Sequence, residues 1–253
     1  MKLKQRSTDL ESHVQMFPLG EGAILIEFGK GIHPDVHRKV TIVTEYLDGY
    51  PVPGMIEYIA AFSSVTIFYD PIQVKKLQRH TAQDENQLSY DIIALSLTEL
   101  IAKLGNEVAH TPRVVDIPVC YGEEFGPDLE YVAEYNKLTV NEVIKIHASG
   151  QYLVYMIGFA PGFPYVGGMS EKISTPRRKS PRILIPAGTV GIAGLQTGIY
   201  PIGTPGGWQL IGRTPLQLFR PHDNPPSLLR AGDVIRFCPI SQQEYEEYKG
   251  EGQ

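Results

Sequence analysis

The spacing of apolar and polar residues predicts four strands and two helices in the first half of the chain. Alternating apolar and polar positions are typical of half-buried strands, whereas apolar positions three or four apart are typical of helices. The predicted strands are residues 22–29, 55–61, 65–69 and 114–119, and the predicted helices are residues 33–50 and 89–104. Their order, β-α-β-β-α-β, is that of a split βαβ, or ferredoxin-like, domain.

The second half of the chain has short apolar runs between many glycines and prolines. A helix is predicted at residues 127–136, and Thr139 and Glu142 form a capping box that opens another, ending at His147. Glycine and proline make up 18 of the 52 residues from 156 to 207, with β-branched and aromatic residues interleaved. Short strands with tight turns favour a β-barrel or a sandwich.

These patterns predict an α+β protein with two domains. The expected boundaries are 1–105 for the N-terminal α/β domain, 106–112 for a linker, 113–245 for the barrel and 246–253 for a tail. The chain has 253 residues, of which 42% are hydrophobic and 20% charged, so it can bury a sizeable core.

Charge and cysteine content exclude several classes of function. The formal net charge is −5, which argues against a non-specific nucleic-acid-binding protein, because such proteins need a basic face. Two cysteines provide neither a disulfide framework nor a cysteine-based zinc site, and no other metal site is expected. The sequence shows neither an apolar leader nor an uninterrupted membrane span, so we expect a cytoplasmic protein without membrane or nucleic-acid partners.

Candidates for catalysis are few. The motifs G-x-x-x-x-G-K-[ST], G-x-G-x-x-G, H-E-x-x-H and G-x-S-x-G are absent, so we expect neither a P-loop for ATP nor a serine nucleophile on a sharp turn. His147 is the histidine near the central segment, and the unperturbed pKa of histidine, about 6.5, suits a general base. A structural role, in which His147 caps the last carbonyls of its helix, is favoured over this catalytic role.

Aromatic residues on a rigid turn mark a candidate groove. Residues 158–165 read Gly-Phe-Ala-Pro-Gly-Phe-Pro-Tyr, and such a turn holds its aromatic side chains in place. The turn is either the wall of a ligand or partner groove or a packed corner of the barrel, and the pattern does not separate the two. The candidate partner-interface residues are Phe159, Phe163, Trp208 and Arg213.

Positive charge is concentrated between Met156 and Arg220. This segment carries seven Lys and Arg residues and one acid, Glu171, a local balance of +6 in a chain of net charge −5. An anion site is favoured over a solvated loop, because the arginine fork matches carboxylate and phosphate geometry. The glycine-rich stretch that follows adds polar side chains that serve either a ligand or local turns. The candidate substrate- or anion-binding residues are Arg177, Arg178, Arg182, Gln196, Thr197 and Tyr200.

Long motifs in the chain resemble the family of the 5-oxoprolinase B subunit, also called KipI or allophanate hydrolase subunit 1-like. The resemblance is carried by LGEGAILIEFG near the N-terminus and by GFAPGFPYVGGM, TPRRKSPR and IPAGTVGIAGLQTGIYPIGTPGGWQLIGRTP further on. It covers about residues 18–240 and implies an N-terminal α/β domain followed by a cyclophilin-like β-barrel.

The resemblance also implies an activity shared among several polypeptides. The family's complex cleaves 5-oxoproline to L-glutamate with ATP hydrolysis, so ATP is a co-substrate of the complex and not necessarily a ligand of this chain. The implied partners are a homologous barrel protein, the C-type or KipA-like subunit, and the A-type subunit, which is YcsF/LamB-like. We expect the chain alone to be poorly active or inactive. The alternative is a KipI-like inhibitor of a sporulation histidine kinase.

Overall fold

The computed structural model describes four stretches of the chain, residues 14–31, 33–78, 87–104 and 112–251. The chain divides into two compact units, Met1–Thr111 and Pro112–Gln253, and each unit has its own buried apolar core. The predicted linker, 106–112, lies outside the described residues except for its last position. No helix within these stretches is both long enough and apolar enough to span a bilayer.

The first unit is a four-stranded antiparallel sheet packed against helices. Its elements are β1 (Gln15–Pro18), β2 (Ala23–Glu27), α1 (Pro34–Gly49), β3 (Met55–Ala60), β4 (Ser64–Tyr69), α2 (Pro71–Gln78) and α3 (Ser89–Leu104). The strand order is β1-β2-β4-β3, and all neighbouring strands are antiparallel. Strands β2 and β3 therefore run parallel on either side of β4, with α1 connecting them, which confirms the predicted split βαβ arrangement.

The fourth strand of this sheet is not the one predicted. Residues 114–119 do form a strand, β5 (Val114–Tyr121), but β5 belongs to the second unit. The place beside β2 is taken by β1, where Met16 lies opposite Ile26. A local apolar pattern indicates that a strand exists, whereas its pairing partner depends on contacts distant in sequence.

Helix α2 was not predicted, although its start signal is in the sequence. Asp70 Oδ1 accepts hydrogen bonds from the amides of Ile72 and Gln73, at 2.8 and 3.2 Å. Pro71 occupies the first helical position, where its missing N–H has no cost. The pair Asp70-Pro71 therefore both ends β4 and opens the helix.

The second unit is a nearly closed barrel of seven strands. After β5 its elements are α4 (Leu129–Tyr135), α5 (Val140–Ala148), β6 (Tyr152–Ile157), β7 (Pro164–Gly167), a 3₁₀ turn (Glu171–Ile173), β8 (Arg182–Ile185), β9 (Thr189–Ala193), β10 (Gln196–Ile199), β11 (Thr204–Gly206), β12 (Gln209–Arg213), β13 (Val234–Pro239) and α6 (Gln242–Glu251). The strand order is β10-β9-β12-β5-β13-β6-β7, and the edge strands β10 and β7 lie beside each other. The expected C-terminal barrel is thus confirmed.

In the second unit the predicted start of α5 is confirmed, whereas the C-terminal residues differ from the predicted tail. The capping box of α5 is present: Thr139 Oγ1 accepts from the Glu142 amide, and the Thr139 amide donates to the Glu142 carboxylate at 2.7 Å. Strands β8 and β11 form a separate two-stranded ribbon. Helix α6 extends through most of the predicted tail, 246–253, which is therefore largely helical.

The second unit is expected to fold without the first, because its buried core contains only residues from Ile117 to Phe237. A fragment of residues 112–253 should therefore unfold cooperatively in urea. Far-UV circular dichroism and the fluorescence of Trp208, the sole tryptophan, should report the same midpoint. Two separate midpoints, or a gradual loss of signal, would contradict an independent core.

Candidate functional site

A cavity of about 250 Å³ in the second unit gathers most of the predicted site residues. It is lined by Phe159, Phe163, Tyr165, Arg177, Gln196, Tyr200, Pro205, Gly206, Gly207 and Trp208. Three of these belong to the predicted binding set and three to the predicted interface set. We call this cavity the aromatic pocket.

The wall of the aromatic pocket is built around Phe163. The ring centroids of four other aromatic residues lie 5.2 to 6.0 Å from that of Phe163, with steep interplanar angles of 70 to 83°. Those residues are Phe159, Tyr165, Tyr200 and Trp208. Edge-to-face pairs of this kind add about 0.5–1.5 kcal/mol each beyond the burial of their area. The wall is therefore held by mutual packing before any ligand arrives.

Phe159 stands at the exposed rim of this wall. Its side chain is 70% exposed, whereas Phe163 is 3% exposed. The backbone of Phe159 has φ = +67°, a left-handed conformation that is strained for a bulky side chain. Short hydrogen bonds hold the turn on both sides of it, from Ala160 N to Gly158 O and from Phe163 N to Ala160 O. The turn thus places one aromatic ring in the core and the other in solvent.

The recurrent glycines make room for this wall. A Cβ atom on Gly198 would lie 3.1 Å from Cζ3 of Trp208 and 3.3 Å from Cζ of Phe163. A Cβ atom on Gly191 would lie 3.2 Å from Cβ of Trp208. The close approach that these glycines permit is therefore made by aromatic rings of the chain itself.

The polar side chains in the lining of the aromatic pocket are those of Arg177, Gln196 and two tyrosines, Tyr165 and Tyr200. Within the described stretches, Arg177 is exposed and has no hydrogen bond or ion pair. Burial raises the pKa of Tyr200, against smaller opposing effects of a hydrogen bond from the Trp208 backbone and of the charges on Arg177 and Arg182. At neutral pH the lining thus contains one cation, one side-chain amide, the protonated phenol of Tyr200 and the hydroxyl of Tyr165.

The other two predicted anion-binding arginines, Arg178 and Arg182, each pair with an acid of the same chain. Arg178 Nη1 and Arg182 Nη2 both donate to Oδ1 of Asp128, at 3.0 and 2.8 Å. Asp128 is buried, so its charge requires such partners. Arg178 and Arg182 were predicted to bind a substrate anion. In the structure both side chains bind the carboxylate of Asp128 in the same chain.

Asp128 was missed in the sequence because it lies 50 and 54 residues from its arginine partners. Its position just before α4 is typical of a helix cap, yet its side chain makes no capping hydrogen bond. Its second oxygen, Oδ2, accepts instead from the Leu210 amide at 2.7 Å, two residues beyond Trp208. Asp128 therefore joins the loop that carries Arg177 to the strand that follows Trp208.

Thr197 and His147 lie outside the aromatic pocket, in a buried hydrogen-bond chain. Thr197 Oγ1 donates to Gly191 O at 3.0 Å, so it can only accept from Nε2 of His147, 2.9 Å away. Nδ1 of His147 then carries no proton and accepts from the Tyr121 hydroxyl at 2.8 Å. Thr197, which was predicted to bind substrate, therefore lies apart from Arg177 and Gln196, with its hydroxyl bonded inside the core.

His147 has a structural role, although not the predicted one. Both ring nitrogens bind side chains rather than the last carbonyls of α5, and the His147 carbonyl accepts from the Tyr152 hydroxyl at 2.7 Å. Burial lowers the pKa of His147 to about 3. A fully buried neutral imidazole with both nitrogens bonded is unsuited to act as a general base on a bound ligand.

Arg213 also lies away from the aromatic pocket. Its guanidinium carbon is 5.9 Å from the centroid of the Phe125 ring, and it hydrogen-bonds the side chain of Tyr245 in α6. Phe125 and Tyr245 are both buried and pack on each other. The structure therefore places Arg213 in the packing of its own chain, not beside Phe159, Phe163 and Trp208.

Replacing Asp128 should destabilise the second unit. We expect Asp128→Ala to lower the free energy of unfolding by about 2–3 kcal/mol, because three hydrogen bonds to one buried carboxylate are lost. The matched control is Asp116→Ala, which breaks a bidentate pair with Arg236 in which both side chains are half exposed. That change should have little effect. Equal midpoints in urea for Asp128→Ala and the parent chain would contradict the role assigned to Asp128.

The burial of neutral His147 predicts a specific pH dependence. Its pKa is about 3 in the folded chain and about 6.5 when unfolded, so below pH 6.5 only the unfolded state gains a proton. Stability should fall by about 2 kcal/mol from this group between pH 7 and pH 5. His147→Gln should lack that component, as urea unfolding at both pH values would show. Parallel pH dependence in the two proteins would indicate that His147 is protonated in the folded state.

Comparison with known proteins identifies the family. Residues 14–229 match the family described as carboxyltransferase domain, subdomain C and D. The chain is 52% identical to the B subunit of 5-oxoprolinase from Bacillus subtilis over 237 residues, which cover 94% of this chain and 97% of that protein. It is 37% identical to the B subunit of 5-oxoprolinase from Escherichia coli O157:H7, covering 87% of this chain and 94% of that one.

A solved structure agrees with this relation. The crystal structure of TTHA0988 matches 90% of the chain with a TM-score of 0.70 and 33% identity, although the match spans only 40% of the TTHA0988 chain. The chain belongs to the carboxyltransferase subdomain C and D family and, within it, to the B subunits of 5-oxoprolinase.

Proposed function

We propose that the chain is the B subunit of an ATP-dependent 5-oxoprolinase, which opens 5-oxoproline to L-glutamate together with its A-type and C-type partner proteins. The observation that carries the proposal is the 52% identity to the corresponding 5-oxoprolinase protein of Bacillus subtilis, which extends over 94% of the chain. A match that covers 94% of the chain extends over both units and supports a shared role.

The reaction itself explains why ATP is needed. A lactam carbonyl is a poor electrophile because the ring nitrogen donates electrons to it. Transfer of the γ-phosphoryl group of ATP to the lactam oxygen, with release of ADP, would make the carbon reactive. Water then adds to that carbon, the C–N bond breaks to free the amine, and a second water releases phosphate from the acyl phosphate. The products are glutamate, ADP and phosphate.

The aromatic pocket suits binding in this reaction better than proton transfer. Among the described residues that line it there is no Asp, Glu, His or Cys. Its phenol, Tyr200, has a raised pKa and stays protonated at neutral pH. In the described ranges, no cluster of three or more His, Cys, Asp or Glu is arranged to hold a metal ion. We therefore assign this chain a part in binding and orienting the substrate, with the phosphoryl chemistry shared with its partners.

The proposal predicts activity that depends on assembly. The purified chain with ATP and 5-oxoproline should release little or no glutamate, whereas the chain co-expressed with the A-type and C-type proteins should release glutamate and ADP in equal amounts. An enzyme-coupled glutamate assay and an ADP assay on the same samples measure this ratio. Omission of each protein in turn is the control. Failure of the complete complex to release glutamate would contradict the proposed function.

A further inference from the structure

The aromatic pocket has the size and chemistry of a site for one small molecule. We propose that it binds a small non-aromatic ring carrying a single carboxylate, with the carboxylate on Arg177 and the ring against the wall formed by Phe163 and Trp208. The proposal rests on the proposed function in one respect, namely that 5-oxoproline, the substrate, is a molecule of this class.

The volume limits the ligand. At about 250 Å³ the pocket is smaller than the roughly 300–1,000 Å³ of sites for drug-sized molecules. A nucleotide is too large to be enclosed, whereas a five-membered ring with a carboxylate, about ten non-hydrogen atoms or fewer, has the right scale. The volume therefore favours the smaller of the two substrates of the proposed reaction.

The charge of the pocket also specifies its ligand. Of the described residues that line it, Arg177 alone is charged. Arg178 and Arg182, its neighbours in the loop, both donate to Asp128 instead. One unpaired guanidinium beside an apolar wall matches a monoanion, and the planar fork of arginine matches a carboxylate with two parallel hydrogen bonds.

The remaining polar groups match a cyclic amide. The side-chain amide of Gln196 offers both a donor and an acceptor, which is the complement of a lactam N–H and C=O. The phenol oxygen of Tyr200 accepts from the Trp208 backbone, so its own proton remains available to a ligand carbonyl. The methylene groups of the ring would cover the aromatic faces of Phe163 and Trp208.

Trp208 makes the proposal directly measurable, because it is the chain's sole tryptophan and lies in the pocket. We would titrate the full-length chain with 5-oxo-L-proline at neutral pH and follow tryptophan fluorescence. A saturable change is expected. 2-Pyrrolidone, the same ring without a carboxylate, should bind at least ten-fold more weakly, since a hydrogen-bonded charge pair is worth about ten- to a hundred-fold in affinity.

Two matched variants test the assigned cation. Arg177→Gln should weaken 5-oxoproline binding at least ten-fold, whereas Lys179→Gln, which removes an exposed charge of the same loop outside the pocket lining, should leave it unchanged. In the complex reconstituted with the A-type and C-type proteins, Arg177→Gln should raise the KM for 5-oxoproline by a similar factor and leave the KM for ATP unaltered. Thermal unfolding of both variants confirms that they are folded.

The outcomes separate this proposal from the proposed function. A chain that gives no fluorescence response to 5-oxoproline, responds to ATP instead, or binds 5-oxoproline equally well as Arg177→Gln would overturn the pocket assignment. So would an unchanged KM for 5-oxoproline in an active Arg177→Gln complex, while the function would stand. Carboxylate-dependent binding that is lost in Arg177→Gln, together with a complete complex that releases no glutamate, would support the pocket and overturn the function.

Discussion

Asp128 accepts hydrogen bonds from Arg178, Arg182 and the Leu210 amide, so a single buried carboxylate holds the cationic loop against β12. The two arginines and the carboxylate stabilise one another. Four cations within six residues repel one another, and a buried carboxylate without partners is strongly unfavourable. Pairing relieves both problems and leaves the loop in one position. Together with the hydrogen bonds from Arg178 N to Gly207 O and from Gln209 Nε2 to Pro176 O, this contact sets the location of Arg177 relative to Trp208.

The contact also divides the arginines of the loop by function. Arg178 and Arg182 maintain the structure, and Arg177 remains as the charge that faces the aromatic pocket. A similar division applies to the neighbouring residues of β10, since Gln196 lines the pocket while Thr197 is fully used by His147 and Gly191. Residues bonded inside the core thus alternate along short segments with residues that line the pocket.

Sequence signals predicted correctly the features that depend on residues close together in the chain. The capping box at Thr139, the split βαβ order around α1 and the rigid aromatic turn at 158–165 all depend on neighbours close along the chain. The resemblance to a known family extended the prediction to the whole barrel. Asp70-Pro71 shows the limit of reading such signals, because the same pair ends one strand and begins a helix.

Periodicity, turn residues and charge are properties of neighbouring positions, so the α+β class, the aromatic turn and the cation-rich loop were predictable from the amino-acid sequence. Which polar side chains are paired depends on contacts between segments that are distant in the chain. Gln196 and Thr197 are adjacent in β10, so their side chains point to opposite faces of the strand. The sequence does not show which of the two faces the pocket, because that depends on how the barrel closes. Asp128 neutralises residues 50 and 54 positions away, and such pairing depends on folding that brings distant segments together.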